Sequence, residues 1–471
     1  MSKVEVDQVT QQSGTTLTVG GGACKTAVVD ATTVTLGRCG GTVSLASGAT
    51  QSGFGRTGTV DWQTGAIKTS TFTAANGEGY FANTAAGAFN MNLPAGSGGS
   101  IVAVKDYLNT FDTYGLTLVP NGSDKIGGIA GNFTLTTEAL SITLIYVDAV
   151  RGWIDVHESA ENPEGTSYIT ATVSGACNTL ATCGDYKIAT FLGPGTFCVS
   201  AGQGPLATAD YMVVAGGGAG GTRAGGGGAG GGYRESVPSP AAWTASPLAN
   251  PGGGVIVSPQ AYPITVGGGG SVATPAPAGN GGDSIFATIT SAGGGGGGTN
   301  TSCGTSNDDG APGGSGGGGG GSSGESCGGT GNTPVVVPAQ GKDGGKGRGD
   351  APAGGGYRLG GGAGGATVAG ENYQHDSRGG NGGTGATSSI NATPTARAGG
   401  AAGGGDTYSS FGPFPAGTPG GGGAGNAGAG GGGLVGTVNT GGGGGGGGWN
   451  NSGFNGGNGG SGIVIIRYKF Q

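Results

Sequence analysis

The sequence predicts an all-β protein in two parts: small N-terminal β-modules, then a bundle of polyglycine II helices closed by two β-strands, with no significant α-helix. Three observations predict this fold. The chain of 471 residues contains 124 glycines, and most lie in near-pure runs after residue 211. Short Thr- and Val-rich segments separated by turn residues fill the first half, as is typical of strands. The apolar segments YMVVA (211–215) and GIVIIRYKF (462–470) flank the glycine-rich part.

The composition excludes several classes of function. Only 34 % of the residues are hydrophobic and 10 % charged, and the formal net charge is −7. Nucleic-acid binding needs clustered Lys and Arg to meet the phosphates, and no such cluster exists. There is also no apolar stretch of about 18 residues and no basic-then-apolar start. We therefore expect synthesis in a cytosol, no membrane insertion and no nucleic-acid partner.

The cysteine pattern argues against a metal site. Seven cysteines are few for a disulfide scaffold of this length, and the number is odd. None forms a CxxC pair, and the two histidines lie far from them in the sequence. We expect small buried thiols, no metal and no cofactor, with Cys177/Cys183 or Cys303/Cys327 left open as disulfides.

The first 210 residues divide by pattern into four segments. Residues 1–20 alternate polar and small apolar side chains without a core, which favours a leader that docks onto another surface or pairs along a neighbouring chain. Residues 21–59 form a small β region, residues 60–160 a sandwich-like or small barrel module, and residues 161–210 a short β linker module. The glycine-rich domain then occupies 211–471.

The 60–160 module is the most conventional globular part. Its strand-like runs alternate polar and apolar residues, so we expect one buried face per strand, with Phe133 and Trp153 in the core. The one histidine here, His157, lies beside Asp155 and Glu158, and this DVHE segment is typical of a surface charge cluster. No nucleophile or metal partner accompanies it, so we predict no catalytic residue and no enzyme activity.

Two stretches resemble a known family. The succession GSGGSIVAVKDYLNTFDTYGLTLVPNGSDKIGG followed by LSITLIYVDAVRGWIDV resembles the β-structured shaft modules of tailed-phage tail fibres. Residues 168–221 resemble the β-unit that leads into glycine-rich domains of phage fibres, which end in a GGSGIVIIRY-like strand, here at 459–468. The resemblance implies a virion protein, a homotrimer, whose N-terminus attaches to phage tail or adaptor proteins and whose glycine-rich tip binds the host.

The glycine runs are predicted to be rods of a packed scaffold. Ordering glycine costs on the order of 1–2 kcal/mol per residue, so something must offset that loss. Polyglycine II helices have no internal hydrogen bonds, and without side chains they can approach until their amides and carbonyls bond to neighbouring helices. Ala, Ser and Asn interruptions are then expected on the outer face. The alternative is a flexible linker, which gives no reason for a closing strand as apolar as GIVIIRY.

Alternation of rods up and down assigns inserts to the two ends of the bundle. Counting back from the closing strand puts residues 449–455, 406–419 and 366–378 at the far end. The same count puts residues 434–440 and 386–397 at the near end, beside the closing strand. The far inserts contain the aromatic residues, and the near ones contain none.

Exposed aromatic rings between Asn, Asp and Ser are typical of a surface that binds carbohydrate or protein loops. The candidate receptor-binding residues are Tyr373, His375, Asp376, Tyr408, Phe411, Phe414, Trp449, Asn450 and Phe454. Packing of these rings against the bundle is the alternative. The predicted function is that of a tail fibre which binds a glycan or outer-membrane protein. A polysaccharide depolymerase, which needs two carboxylates in one groove, and a purely structural spacer remain as alternatives.

Overall fold

The computed structural model describes most of the chain after residue 59. The described residues are 60–156, 166–272, 278–300, 307–322, 324–349, 358–374, 378–406, 418–423, 431–450 and 452–471. They contain strands, turns and extended rods, one 3-10 turn (Gly204–Ala207) and no α-helix, which confirms the all-β prediction. No helix in these segments is long and apolar enough to cross a membrane. The predicted leader and small β region, 1–59, lie outside the described residues.

Residues 60–156 form a two-sheet module. The strands are β1 (Asp61–Lys68), β2 (Phe72–Thr73), β3 (Glu78–Ala82), β4 (Phe89–Asn92), β5 (Ile101–Asp106), β6 (Leu116–Val119), β7 (Phe133–Leu135), β8 (Ser141–Tyr146) and β9 (Trp153–Asp155). One sheet has the order β1-β3-β5-β8-β9 and the other β2-β4-β6-β7. From β1 to β6 the chain alternates between the two sheets. As a result β1, β3 and β5 run parallel in one sheet, and β2, β4 and β6 run parallel in the other.

One hydrophobic core joins the two sheets, so the module is a sandwich. Side chains of β3, β5 and β8 meet those of β4 and β6 in a single cluster. Trp153 is fully buried there and Phe133 packs against the cluster, as predicted. Asp155 is also buried, contrary to the expected surface position of the DVHE segment, because it lies on β9 at the edge of this sheet. His157 lies outside the described residues.

The glycine-rich part contains many short strands. They are β10 (Ser167–Ser174), β11 (Thr179–Cys183), β12 (Tyr186–Phe191), β13 (Gly195–Gln203), β14 (Thr208–Val214), β15 (Tyr233–Ser236), β16 (Ala249–Asn250), β17 (Val255–Ile256), β18 (Ala261–Thr265), β19 (Ser284–Phe286), β20 (Ile289–Ser291), β21 (Gly324–Ser326), β22 (Gly347–Gly349), β23 (Arg358–Leu359), β24 (Ala386–Ser388), β25 (Thr395–Arg397), β26 (Trp449–Asn450), β27 (Ser452–Gly453) and β28 (Ile463–Lys469).

The two apolar strands that flank the glycine-rich part pair with each other. β28 is antiparallel to β14 on one side and to β12 on the other, in the sheet β11-β12-β28-β14-β15-β16. Val214 lies opposite Ile463, which confirms the predicted partner of the closing strand. A second sheet, β10-β13-β18-β19-β20, shares a core with it. The 161–210 segment therefore packs in the same sheets and core as the start and end of the glycine-rich part.

A buried polar cluster fastens a distant hairpin to this sheet. The carboxylate of Glu235 on β15 is 2 % exposed. It accepts hydrogen bonds from the Tyr233 hydroxyl at 2.9 Å, the Trp243 indole at 3.3 Å, the Ser246 amide at 3.0 Å and the Ser388 hydroxyl. Since Ser388 belongs to the β24–β25 hairpin, Glu235 ties that hairpin to the sheet.

Residues 215–221 form a central rod with a period of three residues. The amides of Gly217 and Gly220 donate to Gly460 and Gly457 of one antiparallel rod, each over 2.9 Å. The remaining amides repeat this period with two other rods: Gly216 and Ala219 donate to Gly282 and Gly279, and Gly218 and Gly221 donate to Ala229 and Gly226. Three residues per turn is the geometry of polyglycine II.

The carbonyls of the same rod accept from three further rods. Gly294 and Gly297 donate to Gly216 and Ala219, Gly444 and Gly447 donate to Gly218 and Gly221, and Gly270 donates to Gly217. Six neighbours thus surround this rod, which is the lateral saturation of the backbone that the sequence predicts. No residue of 215–221 has a positive φ, in keeping with an extended left-handed helix.

The rods alternate in direction between two ends. The near end holds β14, β28 and the β24–β25 hairpin, whose Arg397 contacts Met212 of β14. The far end holds the turn at 222–224, which joins the central rod to the returning rod 225–232. Across this turn the Arg223 amide donates to the Phe454 carbonyl at 3.0 Å, next to the β26–β27 hairpin.

Several interruptions of the runs are buried, contrary to the outer-face prediction, whereas Asn280 and Asn458 are exposed as predicted. Ala219, Ala229, Ala363 and Ala401 are fully buried within rods, as is Ser315. The bundle is several rods thick, so an interruption in a central rod has no outer face to occupy. Methyl groups are instead enclosed where the surrounding backbones leave room.

The prediction of buried thiols is also wrong for the described cysteines. Cys177, Cys198 and Cys327 are exposed and Cys183 is half-buried, and all four are free thiols. Cys177 therefore forms no disulfide with Cys183. These cysteines lie on short strands and turns at the surface, where the apolar pattern is too weak to enclose them. Cys303, the other predicted partner of Cys327, lies outside the described residues.

Candidate functional site

A strip of short strand pairs crosses the far end of the bundle. β21, β22 and β23 form an antiparallel sheet. Single bridges continue it from Leu359 to Gly405 and from Asp406 to Trp449, the first residue of the β26–β27 hairpin. Leu359 is buried beneath the strip, whereas its neighbour Arg358 is half-buried. The strip thus joins five segments of the chain at the far end.

Two arginines contact the ring of Trp449. The guanidinium carbon of Arg358 is 4.7 Å from the centroid of the indole ring, and that of Arg223 is 5.9 Å away. Both distances are those of cation–π contacts. Arg223 is exposed and adopts a φ of 60° in the tight turn between two central rods. Its stem crosses Gly453, where an added Cβ would lie 2.0 Å from the Arg223 Cγ, so only glycine leaves room for it.

Tyr373 lies in a second group, at the β21–β22 side of the strip. Its hydroxyl accepts a hydrogen bond from Arg348 Nη1 at 3.2 Å and donates one to Glu325 Oε1 at 3.1 Å. The other carboxylate oxygen of Glu325 accepts from Lys346 Nζ at 3.3 Å. The hydrogen bond from Lys346, followed by that from Tyr373, lowers the pKa of Glu325. The charges of this group therefore satisfy one another.

Three of the predicted site residues have described side chains, and all three lie at the far end. Trp449 is the first residue of the β26–β27 hairpin, and Phe454 directly follows it. The Tyr373 amide donates to the Lys346 carbonyl beside β22. Each of the three rings is half-buried. Their role in binding a receptor stays a prediction. His375, Asp376, Tyr408, Phe411 and Phe414 lie outside the described residues, as does the side chain of Asn450.

The count of rods fails for two of the five inserts. Insert 366–378 begins at the near end, where the Ala366 amide donates to Ala398, and reaches the far end only near Tyr373. Insert 406–419 begins at the far end with Asp406 but has returned to the near end at Pro419, which accepts from Gly385. Some rods are built from mixed residues rather than glycine, so a count of glycine runs alone misses them.

Most of the described near-end residues lie where the count of rods predicts them. The β24–β25 hairpin lies beside β14, and the amide of Asn439 donates to Ser461 Oγ at 2.9 Å, next to the start of β28. Leu434 instead lies further along a rod, where its carbonyl accepts from Gly445. The insert 434–440 therefore forms the end of one rod and a near-end turn.

Sequence reasoning missed the cations of the far end. Arg223, Arg348 and Arg358 contact the rings of Trp449 and Tyr373, and none of them was a candidate. The available signal was local: Arg223 stands in a three-residue break between two glycine runs, and Arg358 lies in the three-residue break YRL (357–359) between two others. Charged residues at such breaks must lie at an end of the bundle, because the interior of the bundle has no space for them.

The described residues show no arrangement for metal binding: no three His, Cys, Asp or Glu side chains converge. At the far end, Glu325 is engaged by Lys346 and Tyr373, and Glu371 lies 3.6 Å from Arg378 and accepts from Asn381. The described part of the far end also presents aromatic rings with arginines beside them, at Trp449 and Tyr373.

Comparison with known proteins agrees with this architecture. A search of curated proteins finds no match to the chain. The family model described as glycine-rich domain matches residues 192–469, from the end of β12 to the last residue of β28. This match covers more than half of the chain, including the closing strand and the described rods between. The chain therefore belongs to the glycine-rich domain family.

Proposed function

We propose that this chain is a tail-fibre protein of a tailed bacteriophage that binds a receptor on the bacterial surface through the far end of its glycine-rich bundle. In this proposal the N-terminal residues attach to phage tail or adaptor proteins. The protein is made in the host cytoplasm and incorporated into the virion. It acts by binding and not by catalysis.

The observation that carries the proposal is the contrast between scaffold and far-end surface. The rods bond to one another through their backbones, and they present Trp449 and Tyr373 with arginine partners at one end. A binding site gains precision when rigid elements hold its side chains, because less conformational entropy is lost on association. Half-buried aromatic rings beside arginines are also the side chains that most often dominate binding energy at interfaces.

The test is binding of the purified full-length protein to a panel of bacterial strains. We expect saturable binding to at least one strain. Trp449→Ala and Tyr373→Ala should each weaken it about 30-fold, the effect of removing an aromatic anchor worth about 2 kcal/mol. Tyr114→Ala is the matched control, since Tyr114 is an aromatic residue of the sandwich that is 44 % exposed.

Three results would contradict the proposal. Binding to no strain would refute attachment, and unchanged binding by both far-end variants would refute the role of this surface and favour a structural spacer. Release of reducing ends from surface polysaccharide would indicate a depolymerase. The melting temperature of each variant separates a local loss of contact from unfolding.

The oligomeric state follows from the same proposal. The sandwich exposes Trp62 on its edge strand β1 and Tyr107 beyond β5. Both rings contact Phe81, Trp62 in a tilted arrangement and Tyr107 edge to face. Trimerisation would cover such rings. Sedimentation equilibrium should give three times the chain mass of 44.0 kDa. A monomer at micromolar concentration would refute the trimer.

A further inference from the structure

We propose that Arg223 and Arg358, held on Trp449, bind an anionic group of a saccharide, either a phosphate or a carboxylate. This inference deepens the proposed function and rests on it for its biological setting. The anion site itself is a property of the isolated protein.

The two guanidinium groups lack an anionic partner in the described part of the chain. Neither Arg223 nor Arg358 forms an ion pair or donates a side-chain hydrogen bond there; their contacts are with the indole ring. The other far-end cations differ, since Lys346 pairs with Glu325 and Arg378 pairs with Glu371. Two like charges beside one ring repel each other, and a bound anion would reduce that repulsion.

Both arginines are also fixed in advance. The Arg223 backbone is held in its turn by the 3.0 Å bond to the Phe454 carbonyl, and its stem lies over Gly453. Arg358 stands on β23, opposite Gly349 of β22. Since the backbone and the indole already restrain these long side chains, less conformational entropy is lost when they bind an anion. Guanidinium groups offer paired N–H donors that match the two oxygens of a phosphate or carboxylate.

A third donor lies beside the same turn. The Asn300 amide donates to the Thr222 carbonyl at 3.4 Å, and the buried Nδ2 atom of Asn300 has no partner. An unpaired buried donor costs stability unless an acceptor reaches it. The turn at 222–224 therefore carries the Arg223 guanidinium and adjoins a residue with an unpaired amide donor, and such donors suit an acceptor-rich ligand. The indole edge adds an apolar surface for the sugar ring that carries the anion.

The experiment is calorimetric titration of the full-length protein with glucose 1-phosphate, glucuronate, inorganic phosphate and glucose. We expect both sugar anions to bind and glucose to bind at least tenfold more weakly. Arg223→Gln and Arg358→Gln should each weaken anion binding about tenfold, as for the loss of a charge-assisted hydrogen bond. Arg→Lys at either position should retain part of the affinity, because the charge remains and the paired donors do not. Arg151→Gln, at an exposed arginine of the sandwich, is the control.

The outcomes separate this inference from the proposed function. Absence of anion binding, equal binding of glucose, or unchanged binding by the Gln variants overturns the anion site. If glucuronate alone binds, the ligand is a carboxylate; if glucose 1-phosphate alone binds, it is a phosphate; either result supports the site. Cells that are bound equally by wild type and by the double variant Arg223→Gln/Arg358→Gln refute the anion as part of the receptor, while attachment itself stands. Anion binding without attachment to any strain refutes only the tail-fibre role.

Discussion

The amide of Gly217 donates to the carbonyl of Gly460 over 2.9 Å, and the next bond between these two rods follows three residues later, from Gly220 to Gly457. This spacing leaves the residues between them to bond with other rods. Backbone groups thus replace the hydrophobic core as the source of lateral cohesion, and the absence of a side chain is a structural requirement at most rod positions.

Substitution of Gly220 tests that requirement. A Cβ at Gly220 would lie 2.0 Å from the Gly445 carbonyl oxygen, which belongs to a rod and cannot move alone. We expect Gly220→Ala to lower the free energy of unfolding by about 3 kcal/mol or more, as for overpacking against backbone. Thermal unfolding of the full-length protein measures the effect.

Gly268 provides the matched control. It is an exposed rod glycine without positive φ, and an added Cβ there would meet no atom within 4 Å. Gly268→Ala should leave stability unchanged or raise it by up to about 1 kcal/mol, because alanine restricts the unfolded chain. Equal melting temperatures for Gly220→Ala and Gly268→Ala would show that the rods are not closely packed.

Hydrogen exchange distinguishes rods from a flexible chain. The amides of 216–221 all donate to carbonyls of neighbouring rods, so they exchange only when the bundle opens. We expect peptides covering this rod to exchange about a thousandfold more slowly than unstructured glycine, as for sites that need an opening of about 4 kcal/mol. The amide of Val335, a residue that is 82 % exposed, should exchange within seconds. Fast exchange throughout 216–221 would indicate a linker.

The sequence predicted the rods because glycine runs leave few physical alternatives. A chain without side chains can gain cohesion only through its amides and carbonyls, and the apolar β28 needed a strand partner. The pattern of glycine runs does not predict which rod positions can accept a methyl group, as Ala219 shows. Its methyl is fully buried, whereas Gly220 next to it has no room for one. That difference depends on which distant rods lie alongside, and spacing along the chain does not encode it.

Only part of the candidate site could be predicted from the sequence. Trp449 was placed correctly at the far end, because only one rod, 454–462, separates its hairpin from β28. Its partners Arg223 and Arg358 come from other breaks in the glycine runs, and their proximity follows from the lateral order of rods. The far-end position predicted for Pro419 was wrong for a related reason, because a rod need not consist of glycine.

The Glu235 cluster gives a prediction for the near end. Glu235→Ala would leave the Tyr233 hydroxyl, the Trp243 indole and the Ser388 hydroxyl without their buried acceptor. A buried donor left without an acceptor typically costs about 1–3 kcal/mol. We expect a loss of that size in thermal unfolding and faster hydrogen exchange in the β24–β25 hairpin.

The control for this cluster is Glu138→Ala, at an exposed glutamate of the sandwich. It should change the stability by less than about 0.5 kcal/mol. If Glu235→Ala is no more destabilising than Glu138→Ala, the hairpin is held by its apolar contacts, among them the fully buried Ile390.

Asp210 predicts how stability depends on pH. Burial raises its pKa from 3.8 to about 6, while the hydrogen bond from Ser236 and the charge of Arg467 oppose that rise and the charge of Glu235 adds to it. The native state therefore keeps a proton that the unfolded chain releases between these two values. The resulting stabilisation is complete below pH 3.8 and is lost as the pH rises through about 6.

The variant Asp210→Asn isolates this contribution, since its amide does not titrate. Relative to wild type, its free energy of unfolding should rise between pH 4 and pH 7, by at most about 3 kcal/mol for a shift of this size. Denaturant unfolding of both proteins at a series of pH values gives the difference directly. A constant difference for Asp210→Asn would mean that Asp210 is already ionised in the native state at pH 4, against the effect of its burial.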